Sequence, residues 1–271
     1  MARARFDLPI ATVKSLYWER GFSLAKIGTR FGCSWSTVAN RLREHHIPLK
    51  KKTEMKVRYQ KRSFIGSLEE MAYLVGFRLG DLNVYRPSIN SKIVVARCHT
   101  TVSMQANLIR SLFKKYGGVR VVRSSNGITI NCFLNLSFGF LLPKIYPQWI
   151  QPQSKPMAAF TAGYTDAEGS FGVYQGRGRF KLDSYDYQIL RNIYRFLIIQ
   201  GIHAKFWCIA KRNTANINGG RWRHDLWRIN VNEAKSLVKF IRILLPHLRH
   251  HNRIQQAHAV LKNIQSRSSF T

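Results

Sequence analysis

Acidic residues are scarce: the 271-residue chain has 13 Asp and Glu against 44 Lys and Arg, for a formal net charge of +31. Self-repulsion at this level costs stability, and its usual counterpart is a polyanion that supplies the opposite charge. Nucleic acid leads, ahead of an anionic membrane surface or ribosome-like packing. Cysteine is sparse as well. Cys33, Cys98, Cys132 and Cys208 stand far apart and form none of the close pairs of a zinc site, so reduced, buried thiols are expected. The histidine groups His45–His46 and His247, His250 and His251 lack matching ligands beside them and read as solvated helix ends. Long apolar runs are missing: no stretch can span a bilayer, and "MARARFDLPI" has no apolar signal core. The expectation is an intracellular protein of cytoplasm, nucleoid or organelle matrix, neither secreted nor membrane-bound. What is present is a core, because 45% apolar and 12% aromatic residues exclude a disordered basic tail.

Residues 1–49 read as three short helices. Pro9 suits a first helical turn, and "ATVKSLYWERG" carries Val13, Leu16 and Tyr17 on one face before stopping at Gly21. Ser23 caps "LAKIGTRFG" and Ser34 caps "WSTVANRLREHH". Gly28 is expected at a close helix crossing and Gly32 at the turn, with Val38 and Leu42 anchoring the last helix. The segment resembles a helix-turn-helix that presents Trp35, Ser36, Thr37, Asn40, Arg41 and Arg43 to bases and phosphates. A small three-helix bundle with a basic surface has the same pattern. Residues 50–67 form a basic linker that includes "KKKTEMKVRYQKR", and Lys50, Lys51 and Lys52 are its expected phosphate contacts.

The remainder contains an internal repeat. A shift of 87 positions carries Tyr73 onto Phe160, Gly76 onto Gly163, Gly80 onto Ala167 and Asp81 onto Glu168. The segments that follow each match alternate in the same order, so residues 68–150 and 157–271 both spell αββαββα, joined by a linker at 151–156. The fold class expected is α+β, two pseudo-symmetric repeats preceded by a small all-α domain. "FGFLLPKIY" is expected to be the last helix of the first repeat.

In each copy the small residues fall four apart, on one helix face, where missing side chains let two backbones nearly touch. Packing these helices together brings Asp81 and Glu168 to one place. Two carboxylates at helix C-termini are unfavourable alone, since like charge and the negative dipole end both oppose them. A divalent cation resolves this, and carboxylates that share Mg²⁺ with phosphate oxygens can activate water and stabilise a leaving alkoxide. For one motif alone, an ordinary helix-capping acid is the simpler account. Duplication at matched positions in so acid-poor a chain favours the metal.

"LVGFRLGDL" at 74–82 and "TAGYTDAEG" at 161–169, with the two repeats around them, resemble a single-chain, two-repeat LAGLIDADG homing endonuclease. The resemblance covers about three quarters of the chain. It implies a monomeric saddle whose two four-stranded antiparallel sheets sit in the DNA major groove over a long non-palindromic target. Asp81 and Glu168 would be the catalytic pair, with Gly80 and Ala167 completing the protein's metal set, and each strand would be hydrolysed to leave short 3′ overhangs. Mg²⁺ is the implied cofactor, Mn²⁺ its substitute, and Ca²⁺ an ion that binds without efficient cleavage. Leu82 departs from the family's usual glycine, and Arg78 places a cation inside the first motif helix. No general base is assigned.

Strand alternation suggests a DNA-facing surface. In "FKLD", Phe180 and Leu182 oppose Arg179, Lys181 and Asp183. In "ITINCFLNL", Ile128, Ile130, Cys132, Leu134 and Leu136 oppose Thr129, Asn131, Phe133 and Asn135. Any half-buried antiparallel sheet alternates in this way. The expected DNA contacts are Arg97, Arg120, Arg123 and Asn131 in the first repeat. In the second they are Arg177, Arg179, Lys181, Lys205, Lys211, Arg221, Arg223 and Arg228. Two other functions fit the same scaffold, an RNA maturase acting on a host intron and a DNA-binding regulator without cleavage. Retention of both acids weighs against the regulator.

Overall fold

The computed structural model describes residues 7–50, 61–215 and 219–268. It divides into two compact units, Met1–Gln60 and Lys61–Thr271. Lys51 and Lys52 lie outside the described residues.

In the first unit, α1 (Ile10–Lys14) runs on into a π-helical turn at Ser15–Glu19, followed by α2 (Leu24–Arg30) and α3 (Trp35–Glu44). Ser23 and Ser34 accept the amides of Lys26 and Thr37, each at 3.2 Å, so both N-terminal caps form as the sequence predicts. Gly28 differs in its partner. A Cβ there would stand 2.5 Å from the Cys33 carbonyl oxygen and 3.2 Å from the Ser34 carbonyl carbon, so the missing side chain lets the chain turn tightly into the start of α3. Leu8, Val13, Leu16, Tyr17, Ile27, Val38 and Leu42 form the core. Lys50 folds back onto it, its amide donating to the Tyr17 hydroxyl at 2.9 Å and its Nζ to the Tyr17 carbonyl at 2.5 Å.

The second unit begins with α4 (Leu68–Asp81), β1 (Asn83–Tyr85), β2 (Ile93–Thr100), α5 (Ser103–Phe113), β3 (Gly118–Ser124) and β4 (Gly127–Asn135). It continues with α6 (Pro156–Glu168), β5 (Gly169–Tyr174), β6 (Arg177–Ser184), α7 (Tyr187–Ile199), β7 (Lys205–Ala210), β8 (Leu226–Val231), α8 (Ala234–Leu244) and α9 (His251–Ser268). The two antiparallel sheets have the same order, β1-β2-β4-β3 and β5-β6-β8-β7. Local chemistry sets the helix starts. Ser67 accepts the Glu70 amide at 3.1 Å ahead of α4, Pro156 opens α6, and Asp186 accepts the Ile189 amide at 3.1 Å ahead of α7. In α7, Ile189, Leu190, Ile193, Phe196 and Leu197 form one buried stripe against its sheet.

Four features depart from expectation. The last helix of the first repeat is only a 3₁₀ segment, Leu136–Leu141, because Pro143 has no N–H to continue a ladder. Strand β4 ends at Asn135, whose side chain accepts the Ser137 amide at 2.9 Å, so Leu136 leaves the alternation and is 45% exposed. The 18-residue α9 adds a helix to the second repeat beyond its αββαββα order. Within the histidine group before it, His250 is buried, and that burial lowers its pKa, so it is not a solvated helix end. The cysteines are free, with Cys98 and Cys132 buried and Cys33 and Cys208 half-buried. Among the described residues, no helix is long and apolar enough to cross a membrane.

Candidate active site

Backbone contact between α4 and α6 depends on two glycines. A Cβ on Gly76 would strike the Phe160 carbonyl oxygen and lie 3.0 Å from the Tyr164 nitrogen. One on Gly163 would strike the Tyr73 carbonyl oxygen and lie 3.0 Å from the Phe77 nitrogen. Every residue in the second contact is the counterpart, 87 positions away, of one in the first. The packing is therefore reciprocal, and the rings repeat it: Tyr73 stacks on Phe77 and Phe160 on Tyr164, both at 6.3 Å.

This packing brings the helix ends together. Asp81 is the last residue of α4 and Glu168 the last of α6. A Cβ on Gly80 would stand 2.5 Å from the Ala167 Cβ and 3.0 Å from the Glu168 Cγ, so the two acids converge. Asp81 accepts a hydrogen bond from Gln105 Nε2 of α5 at 2.6 Å. Burial, and after it the Glu168 charge, push the Asp81 pKa up to about 7, against the opposing effects of Gln105 and Arg253. Glu168 is exposed as a residue, yet the protein around its carboxyl still raises its pKa, again opposed by Arg253.

Two carboxylates held where their charged forms are disfavoured make a hard-oxygen donor set. The final carbonyls of a helix have no intrahelical partners, and those of Gly80 and Ala167 belong to the last turns of α4 and α6. Among the described residues, no group of three or more His, Cys, Asp or Glu side chains is placed to hold a metal ion. Any further ligands would be water or phosphate oxygens, a pattern that suits Mg²⁺.

Residues 155–244 match the family model of the LAGLIDADG-like domain. The chain carries a LAGLIDADG-like domain. Its fold is that of I-DmoI, whose crystal structure in complex with DNA and Ca matches at a TM-score of 0.50 and 15% identity, over 72% of this chain and 98% of that one. I-DmoI in complex with DNA and Mn is similar at 0.45 and 18%, over 67% and 100%. Full-length DUF199/WhiA from Thermatoga maritima is similar at 0.46 and 14%, over 75% and 62%. In sequence, no curated protein matches the chain.

Two further charged residues of α4 and α6 have structural partners. Asp166, only two residues before Glu168, points the other way on the helix and is 1% exposed. Its Oδ2 accepts from the Tyr73 hydroxyl at 2.7 Å and from the amides of Arg249 and His250 at 2.7 and 3.0 Å. Arg78 is buried because its guanidinium donates to three carbonyls, those of Leu141 at 2.8 Å and of Leu82 and Leu142 at 3.3 Å each. It ties the 3₁₀ segment to the end of α4. Leu82 is itself buried.

Each acid leads into a row of polar side chains across the sheet that follows it. Two residues after Asp81, Asn83 pairs with Arg97, Arg97 with Asn131, and Asn131 with Arg120. Two residues after Glu168, Ser170 pairs with Lys181, Lys181 with Asn230, and Asn230 with Lys205. Both rows read polar, basic, Asn, basic. Arg177 and Arg179 share the second face, as does Arg228, which donates to Asp183 at 2.6 and 2.7 Å. Arg123 does not share the first face, for its register partner is core residue Ile128. Lys211, Arg221 and Arg223 lie between β7 and β8. Lys211 pairs with Asp225 at 3.0 Å and Arg221 donates to the Asn213 carbonyl at 3.0 Å.

On α3, Trp35 is 60% exposed and Arg43 donates to Asn40 at 2.9 Å. Ser36 and Thr37 turn their hydroxyls to Ser34, at 2.7 and 2.9 Å, and Arg41 lies 3.5 Å from Glu44. Sequence reading missed Gln105, Asn230 and Arg253 at the site and its sheet. For Arg253, the period of Ile254, Ala257, Val260, Leu261 and Ile264 was the available signal, since it marks α9 as an amphipathic helix.

Proposed function

We propose that the chain is a site-specific DNA endonuclease that hydrolyses both strands of a long, non-palindromic target, acting as a monomer. The convergence of Asp81 and Glu168 from matched ends of reciprocally packed helices carries this reading. Asp81, Glu168 and the carbonyls of Gly80 and Ala167 would hold Mg²⁺, with Mn²⁺ as a substitute and Ca²⁺ binding without efficient cutting. The bound cation would supply acidified water and charge neutralisation at the leaving oxygen. Gln105 orients Asp81 through their hydrogen bond. The two rows hold DNA against the sheets, their basic residues meeting phosphates or guanine edges and their Asn residues reading adenine. Because the rows differ in identity, Arg against Lys and Asn against Ser, the two half-sites differ too.

Residues 1–49 add target contacts as a helix-turn-helix, through Trp35, Ser36, Thr37, Asn40, Arg41 and Arg43, and the basic linker 50–67 tracks phosphates. Structures of I-DmoI with DNA and Ca or Mn, and of an I-DmoI variant with target DNA and Mg, support the choice of partner and ion. The test is selection of cleaved sites from a randomised DNA library in Mg²⁺, with EDTA as the control. Tight, selective binding without cutting would turn the reading to a regulator, and preference for structured intron RNA would turn it to a maturase.

A further inference from the structure

Asp166 fixes where α9 begins. It takes the amides of Arg249 and His250, and the Arg253 amide then donates to the His250 carbonyl at 2.9 Å, so the first turn of α9 hangs from α6 just before Glu168. Farther along, Asn263 accepts the Gly178 amide at 3.1 Å and donates to the Gly176 carbonyl at 3.2 Å, and Val260 fills the space beside Gly178. With an attachment toward each end, α9 cannot slide, and Arg253 is held near the acids.

The Arg253 guanidinium is only partly used. Its Nη1 donates to Gln256 at 3.2 Å, but its Nε is enclosed and finds no hydrogen-bond partner among the described residues. Leaving such a group unpaired is unfavourable. Arg78, which is buried, has its guanidinium bonded to three carbonyls. The charges of Asp166, Asp81 and Glu168 all bear on Arg253.

We propose that Arg253 is the fixed cation of the active site, balancing Asp81 and Glu168 in the free protein and donating to non-bridging oxygens of the scissile phosphate in the complex. Guanidinium suits this part because its planar fork matches phosphate and keeps its charge. The second half of the proposal rests on the endonuclease reading, and the first does not.

The experiment uses the full chain with Arg253→Gln and Arg253→Lys. Mn²⁺ affinity is measured without DNA by electron paramagnetic resonance, and single-turnover cleavage is followed on a selected target. Arg253→Gln should bind Mn²⁺ about tenfold more tightly, since a repelling charge has gone, yet cut about 100-fold more slowly. Arg253→Lys should keep wild-type Mn²⁺ affinity and cut at an intermediate rate. General damage to the fold would weaken both properties together, so opposite movements identify the role. Unchanged Mn²⁺ affinity in Arg253→Gln overturns the proposal, and so does wild-type cutting. If Arg253→Gln fails to fold, Arg253→Lys decides: about tenfold slower cutting supports the proposal and wild-type cutting overturns it. A wild type that cuts no DNA sinks the endonuclease reading and the phosphate role, and the Mn²⁺ comparison then decides the charge-balancing role by itself.

Discussion

Gly76 and Gly163 occupy equivalent places in a reciprocal contact, each facing the backbone of the other's helix where a Cβ would collide with a carbonyl oxygen. The carbonyls that they face, those of Phe160 and Tyr73, cannot swing aside as a flexible side chain could. Gly76→Ala and Gly163→Ala should therefore each destabilise the second unit by about 3 kcal/mol or more, above the usual range for core overpacking. Gly139, with nothing within 4 Å of an added Cβ, is the control, and Gly139→Ala should change little. Urea unfolding monitored by tryptophan fluorescence makes the comparison. Equal midpoints for all three variants would mean that the helices are not packed this closely.

Asp81→Asn and Glu168→Gln should abolish cutting while leaving DNA affinity in Ca²⁺ intact or improved. Both changes keep shape and hydrogen-bonding capacity and remove only the charge that would hold a cation. Since the acids converge at one place, each single change should impair both strands, though unequally. Asp81, half-buried and bonded to Gln105, sits in a different environment from exposed Glu168. Strand-specific nicking assays on the selected target read the asymmetry. Full cleavage by either variant would place the active site elsewhere.

Much of this centre was legible because its determinants are local. Small residues four apart set the helix contact, the acid follows directly, and alternating apolar residues mark the strands. Arg123 was legible and misread, since a strand residue three positions from Arg120 must lie on the other face. The rest depends on tertiary placement. The sequence around Asp166 resembles that around Glu168, and only the return of the chain at Arg249 and His250 separates a buried anchor from a surface acid. Gln105 and Arg253 come from helices remote from either motif, and their approach to Asp81 has no sequence period. The matched rows likewise require strand register: Asn230 joins Lys181 and Lys205 only once β6, β8 and β7 are paired.

The raised pKa of Asp81 has a thermodynamic consequence without metal. Its value moves from an ordinary 3.8 to about 7 on folding, so between these limits the folded state binds more protons than the unfolded state. Stability should then fall as pH rises from about 4 to about 7 and level off above, the reverse of a salt-bridged carboxylate. At ~1.4 kcal/mol per tenfold change in acidity, the penalty is bounded at about 4 kcal/mol. Asp81→Asn should flatten this slope without removing it, because Asp166 and Glu168 are shifted in the same direction. Mg²⁺ should restore stability to the wild type above pH 7 and do less for Asp81→Asn. Melting curves in EDTA and in Mg²⁺ across this range provide the check, and a wild-type slope of opposite sign would contradict the assigned burial.

Removal of residues 1–62 should weaken DNA binding and leave the chemical step nearly intact. The segment carries 15 Lys and Arg against 4 acids and neither motif acid, so its expected contribution is electrostatic contact rather than catalysis. The second unit retains the helix pair, both sheets and α9, and its core is built from its own residues. Truncation at residue 62 also spares Phe64, whose ring packs on Tyr116, Phe138 and Phe140 and whose amide donates to Ser137 at 2.8 Å. Every phosphate that the shortened protein no longer neutralises should reduce the slope of log affinity against log salt by about 0.9. If α3 reads bases as well, the truncated protein should cut more of the near-matching sites in a library, since a selective element has gone with the charges. Salt titrations of both proteins, paired with single-turnover rates at saturating DNA, separate binding from chemistry. An unchanged salt slope would mean that the first unit and the linker do not touch DNA, and a collapsed single-turnover rate would mean that they help to build the active site.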